Sequence, residues 1–213
     1  MSSTSGSDSC QKNTYQISLR SPARIGFAQG PVTDVSLRQV IKFRYSEIEQ
    51  QLVEALPELR PSAEFYWITE GQEGQDSGPY VFFESLFAAY VEVLLWLPSS
   101  ARRDDLLRRA FATVEGMFAS GDEDVWGLAS IGLFEGRDPA WLKRAQKFVG
   151  PIADRWLSGH HELWADCASA DDNVVPEIID GYHVRTVIAR ELAADGVLES
   201  DVPGRTYATG SLS

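Results

Sequence analysis

The sequence predicts an all-α protein of six to seven helices, arranged as antiparallel helical hairpins in a bundle or a short HEAT-like stack. Three observations carry this prediction. Apolar residues recur at steps of three and four through most of the interior. Gly, Pro and short polar side chains stand where helices would begin and stop. The connections are short, so consecutive helices must fold back on one another. No repeat period emerges, which leaves the choice between bundle and stack open. With 213 residues, 44% of them hydrophobic, the chain can bury one substantial core. A single helical domain is expected over 31–198, after a flexible arm at 1–30 and before a flexible tail at 199–213.

In the Ser-rich arm, the alternation of Tyr15, Ile17 and Leu19 is the only hint of a strand. After Pro31, Leu37, Ile41, Tyr45, Ile48, Leu52 and Leu56 share one helical face, and Pro57 ends the run. Residues 58–78 read as the least regular part of the interior: Phe65-Tyr66-Trp67 leads into a Gly-rich acidic stretch, 71–78, that predicts an exposed loop. Trp67 is the tryptophan expected at the surface, whereas Trp141, Trp156 and Trp164 match apolar stripes. Tyr80 to Leu97 barely reaches membrane-spanning length, is interrupted by Glu84, Ser85 and Glu92, and reads as a buried helix stopped by Pro98.

The next helix has the cleanest pattern. Leu107, Ala110, Phe111, Val114, Met117 and Phe118 form a stripe, opposite the helix-spaced pairs Asp104–Arg108 and Asp105–Arg109. Gly121 fits a C-terminal cap and Asp122 an N-cap for a helix carrying Val125, Leu128, Ile131 and Phe134, which Gly136 closes. Asp138-Pro139 opens a helix with Leu142, Ala145, Phe148 and Val149, and Gly150-Pro151 repeats the device for Ile152, Trp156, Leu163, Trp164 and Cys167. A last helix, 182–195, presents Val184, Val187, Ile188 and Leu192 before Gly196.

The charge is −12, from 31 Asp and Glu against 19 Lys and Arg. This excess repels phosphates and argues against nucleic acid as a partner. A basic protein is a better match, although an acidic surface also serves solubility alone. By region, 1–44 carries +4, 45–101 carries −9, 102–148 is neutral and 149–213 carries −7. The two cysteines, Cys10 and Cys167, form no readable disulfide framework, and Met1 to Cys10 lacks the basic start and apolar run of a secretory signal. The cytoplasm is therefore the expected location, with no membrane partner.

No catalytic apparatus is readable. GxSxG, P-loop, GxGxxG and HExxH are all missing. His160, His161, Asp166 and Cys167 form the obvious metal or hydrolase candidate, with His183 the only other histidine. Yet His160 and Cys167 lie two helical turns apart, about 10 Å, too far for both to bind one ion. Asp122, Glu123 and Asp124 could hold a hard cation, but three acids at a helix N-terminus are also what the macrodipole favours. The reading is a binding protein rather than an enzyme, with no cofactor or metal.

The stretch from Leu52 to Gly136 resembles a family of small helical bacterial proteins found beside polymorphic toxins, where they look like immunity proteins. The residues that carry the resemblance are Leu56-Pro57-Glu58-Leu59, Tyr80-Val81-Phe82-Phe83, Phe111, Glu115, Phe118 to Asp122, and Leu133-Phe134-Glu135-Gly136. The resemblance implies a chain with no catalytic residues that binds a cognate toxin, expected to be basic and to act in the cytoplasm, and occludes its active site or its activation. The partner-binding residues expected from the acidic regions are Glu70, Glu73 and Asp76, then Asp122, Glu123 and Asp124, then Asp171 and Asp172. The rival readings are a helical scaffold or adaptor for a cellular protein and a metal-dependent hydrolase built around His160 and Cys167.

Overall fold

The computed structural model describes residues 42–73, 78–160 and 183–204, with side chains for all of these except 70–73. Every regular element among them is helical, as predicted. A 3₁₀ turn at Tyr45–Glu47 leads into α1, Ile48–Ala55, which buries Ile48, Leu52 and Val53. Pro57 opens a second 3₁₀ turn, Pro57–Leu59, that runs directly into α2, Arg60–Glu73. Residues 71–73 and 78, expected in an exposed loop, are thus helical, as are residues 60–70, expected to be irregular. Pro61 is tolerated in the first turn of a helix, and Leu59, Ala63 and Tyr66 fall at helical spacing and are buried. Trp67 is also corrected: its indole stacks on Phe82 at 5.9 Å, and its N–H donates to Glu49 at 2.6 Å.

The centre of the fold is α3, Gly78–Trp96, and all of Ala89–Trp96 is buried. By length and composition α3 could cross a membrane, but 67% of its most apolar stretch is covered by the rest of the fold. The cover comes from α4 (Ala101–Phe118), α6 (Pro139–Ala145) and α8 (Val184–Glu191), with α1 against its N-terminal part. Two polar groups enter this apolar centre. Glu92 pairs with Arg137 at 2.7 Å, and the Tyr90 hydroxyl donates to Glu58 at 3.0 Å, where Arg109 reaches the other carboxylate oxygen at 2.8 Å. Buried charge is tolerated only with such partners.

Caps follow the local chemistry read from the sequence. The Asp122 carboxylate accepts from the N–H groups of Asp124 and Val125 and opens α5, Glu123–Gly127, while Asp138 accepts from Trp141 N–H ahead of α6. Gly121, Gly136 and Gly196 all have φ near +75°, which glycine adopts without strain. The ion pairs of α4 differ from expectation. Asp104 meets Arg103 at 2.7 Å and Asp105 meets Arg102 at 3.4 Å, whereas Arg109 is drawn inward to Glu58. An exposed helix-spaced pair contributes only about 0.3–0.5 kcal/mol, so a better-buried partner elsewhere outcompetes it.

The helix α7, Pro151–Ser158, is capped from a distance: Glu115 on α4 accepts from the N–H groups of Ile152 and Ala153. Glycine at 150 leaves room for this cap, because a Cβ would lie 2.4 Å from the Glu115 side chain and the carboxylate would have to shift. At the far end, Val202 is buried and Arg185 donates to the carbonyls of Val202 and Glu199. The chain from 199 to 204 therefore packs on the domain, although the sequence reading began the tail at 199. The possible strand at 15–19 and the positions of Trp164 and Cys167 lie outside the described residues.

Candidate interaction surface

The most distinctive local feature is a pair of π turns that face each other. One, Phe83–Ala88, interrupts α3; the other, Leu128–Gly132, continues α5, and the two segments are in contact. The sequence gives a reason for the second. The Ser130 hydroxyl donates to the carbonyls of Trp126 and Gly127, competing with the backbone ladder, and Glu135 N–H then bonds five residues back to Ser130. At the junction Gly132 faces the Phe83 ring, which a Cβ would approach to 3.0 Å, with Tyr80 just beyond at 3.8 Å.

The extra residue in this turn rotates the helix face. Ile131, expected in the buried stripe with Val125, Leu128 and Phe134, is instead 50% exposed, and Leu133 and Phe134 fill the core. Tyr80 and Val81, on the first turn of α3, are 38% exposed each. Beside Tyr80 stand the exposed carboxylates Glu84 and Glu135. The Tyr80 hydroxyl is held above its ordinary range by burial, by the charge of Glu84 and its hydrogen bond to that carboxylate, and by Glu135, against the opposing pull of Arg137.

The residues expected to bind a partner are only partly placed by the structure. Glu123 and Asp124 are exposed on α5. Asp122 is committed to structure: besides capping α5 it accepts from Tyr45 N–H at 3.1 Å, and these backbone hydrogen bonds, that from Tyr45 first, hold its carboxyl below the usual range. The side chains of Glu70 and Glu73, and all of Asp76, Asp171 and Asp172, lie outside the described residues. Tyr80, Glu84, Ile131 and Glu135 were not among the expected contact residues, because a π turn shifts the helical phase from which exposure is read.

Of the candidate metal or hydrolase residues, His160 bonds the Trp156 carbonyl at 2.9 Å and lies 4.4 Å from its ring. His183 stands at the start of α8 with its edge against Phe65, ring centres 4.2 Å apart. His161 and Cys167 lie outside the described residues, and among those described no three of His, Cys, Asp or Glu converge as metal ligands would.

No curated protein and no solved structure matches the chain. A family model does match, over residues 49–164, a span that includes all of 52–136 and whose description assigns neither activity nor partner. That span is more than half of the chain, which therefore belongs to the family described as a domain of unknown function, DUF7674.

Proposed function

We propose that this chain is an immunity protein that binds a cognate bacterial toxin acting in the cytoplasm and blocks its active site or its activation. The observation that carries the reading is the exposure of Tyr80 and Ile131 on helices whose π turns touch, with the carboxylates of Glu84 and Glu135 beside Tyr80. Apolar anchors of this kind set how slowly a complex falls apart, and a charged rim sets how fast it forms. Against a basic partner, opposed charge raises association above the 10⁵–10⁶ M⁻¹s⁻¹ typical of neutral surfaces, by roughly one to three orders of magnitude. Exposed Glu54 on α1 and Glu64 on α2 add to the acidic surface outside this patch.

Co-expression tests this directly. The product of a gene adjacent to this one is expected to arrest growth when expressed alone and to be tolerated when this chain is present. An adjacent product that is harmless, or toxicity that this chain does not relieve, sinks the reading. Ile131→Asp should abolish protection without unfolding the domain, because the side chain is half exposed and leaves no cavity.

A further inference from the structure

Near the C-terminal end of α3 lies a cleft of about 450 Å³, walled by the turn Trp96–Ser99 and by Arg103, Lys143, Arg144 and Lys147. Arg103 is 3% exposed and fully engaged: Nε donates to Leu94 O at 2.7 Å, one terminal nitrogen to Leu95 O at 2.9 Å and the other to Asp104 at 2.7 Å. Arg144 also donates to Leu95 O, at 3.3 Å, and lies over the Trp96 ring at 4.4 Å. Lys147, just past α6, sits over Phe148 and 3.9 Å from Asp104, and Lys143 lies on the last turn of α6. Lys143 and Arg144 each take part in further interactions as well.

Helix C-termini attract cations, and capping of the last α3 carbonyls accounts for the two arginines. Lys143 and Lys147, the latter beside Asp104, bring the same cleft to four positive side chains in a chain of net charge −12. Asp104 registers the resulting field. Burial would raise its carboxyl, yet hydrogen bonds from Arg103 and Ser99 and the charges of Arg103 and Lys147 hold it below the usual range.

We propose that this cleft binds a phosphorylated small molecule, its phosphate met by Lys143, Lys147 and Arg144 and its remaining part lying against Trp96, Leu97 and Pro98. A dianionic phosphate rewards several convergent cations, whereas one carboxylate needs only one forked guanidinium. The ligand engages Lys143 and Arg144 alongside, or in exchange for, the partners they already have. The volume lies in the range of small-molecule sites, roughly 300–1,000 Å³, and exceeds what free phosphate would fill. A nucleic acid would need a basic surface that runs along many phosphates, and the charge of the whole chain opposes it. This site is independent of the immunity reading.

Calorimetric titration of the full chain at low ionic strength with ADP, pyrophosphate, adenosine and citrate tests the site. ADP should bind saturably at one per chain, pyrophosphate should compete, and adenosine should give no heat. The double substitution Lys143→Ala with Lys147→Ala should weaken ADP at least about tenfold, since two of the three cations that meet the phosphate are removed. Its unliganded unfolding midpoint should stay unchanged, and arginine at both positions should restore binding. Absence of saturable ADP binding at several millimolar, an affinity indifferent to the double substitution, or citrate binding tighter than pyrophosphate would overturn the proposal.

Discussion

Glu92 is buried inside α3, and Arg137 supplies its counter-charge while also donating to Leu133 O and lying over Trp141. Removing the guanidinium leaves a charge that water cannot reach. Arg137→Ala should therefore cost about 3–5 kcal/mol, read as a lower urea midpoint, and the pair Glu92→Met with Arg137→Met should recover most of it. Acid has the opposite effect on two other carboxyls. Asp104 and Asp122 titrate below their ordinary value of about 3.9 in the folded chain, so their stabilisation is complete above that pH and lost as pH falls through the lower folded values. Glu92, raised mainly by burial, works the other way: its contribution falls as pH rises from its unfolded to its folded value. Melting temperature against pH should show a shallower acid limb for Asp122→Asn, and an unchanged limb would remove that carboxylate from the linkage. At this scale the caps were legible in the sequence, because Asp122, Asp138, Gly121 and Gly136 act on neighbours within a few residues. Glu58 with Arg109, 51 positions apart, and Trp67 with Glu49, 18 apart, were not, because only the fold brings such partners together.

Among elements, the helix that depends most visibly on another is α7, whose first turn is capped by Glu115 from α4. Gly150→Ala would drive a methyl into that carboxylate and should destabilise the domain by about 1–3 kcal/mol in chemical denaturation, as overpacked sites do. In the background Glu115→Ala the same change should cost much less, because the obstructing atoms are gone. Helix existence was readable from periodicity for α4, α6 and α8, each with a single apolar stripe. The sequence placed the fourth predicted helix correctly but misplaced its exposed face after Ser130, where the π turn inserts one residue and Ile131 passes from core to surface. The candidate surface was hidden for that reason. Periodicity assumes a constant angle per residue, and this turn breaks the assumption where Tyr80 and Ile131 emerge.

Among the described residues, carboxylates stand beside exposed Tyr80 and cations gather around the end of α3. If these carboxylates steer a basic partner, Glu84→Lys with Glu135→Lys should slow association at least about tenfold at low ionic strength and flatten its dependence on salt, with dissociation little changed. Stopped-flow kinetics at two salt concentrations separates these terms.

The covering of α3 also bears on the life of the chain before it is complete. During synthesis α3 and α4 emerge long before α8, which packs on α3 from residue 184 onward. Until then a segment long and apolar enough to enter a lipid bilayer lacks part of its shield. A product truncated at residue 182 is expected to co-float with phospholipid vesicles or to be held by chaperones, while the full chain does neither. The burial of that apolar segment is thus completed only by residues from 184 onward, so α3 and α8 must meet before the core is closed.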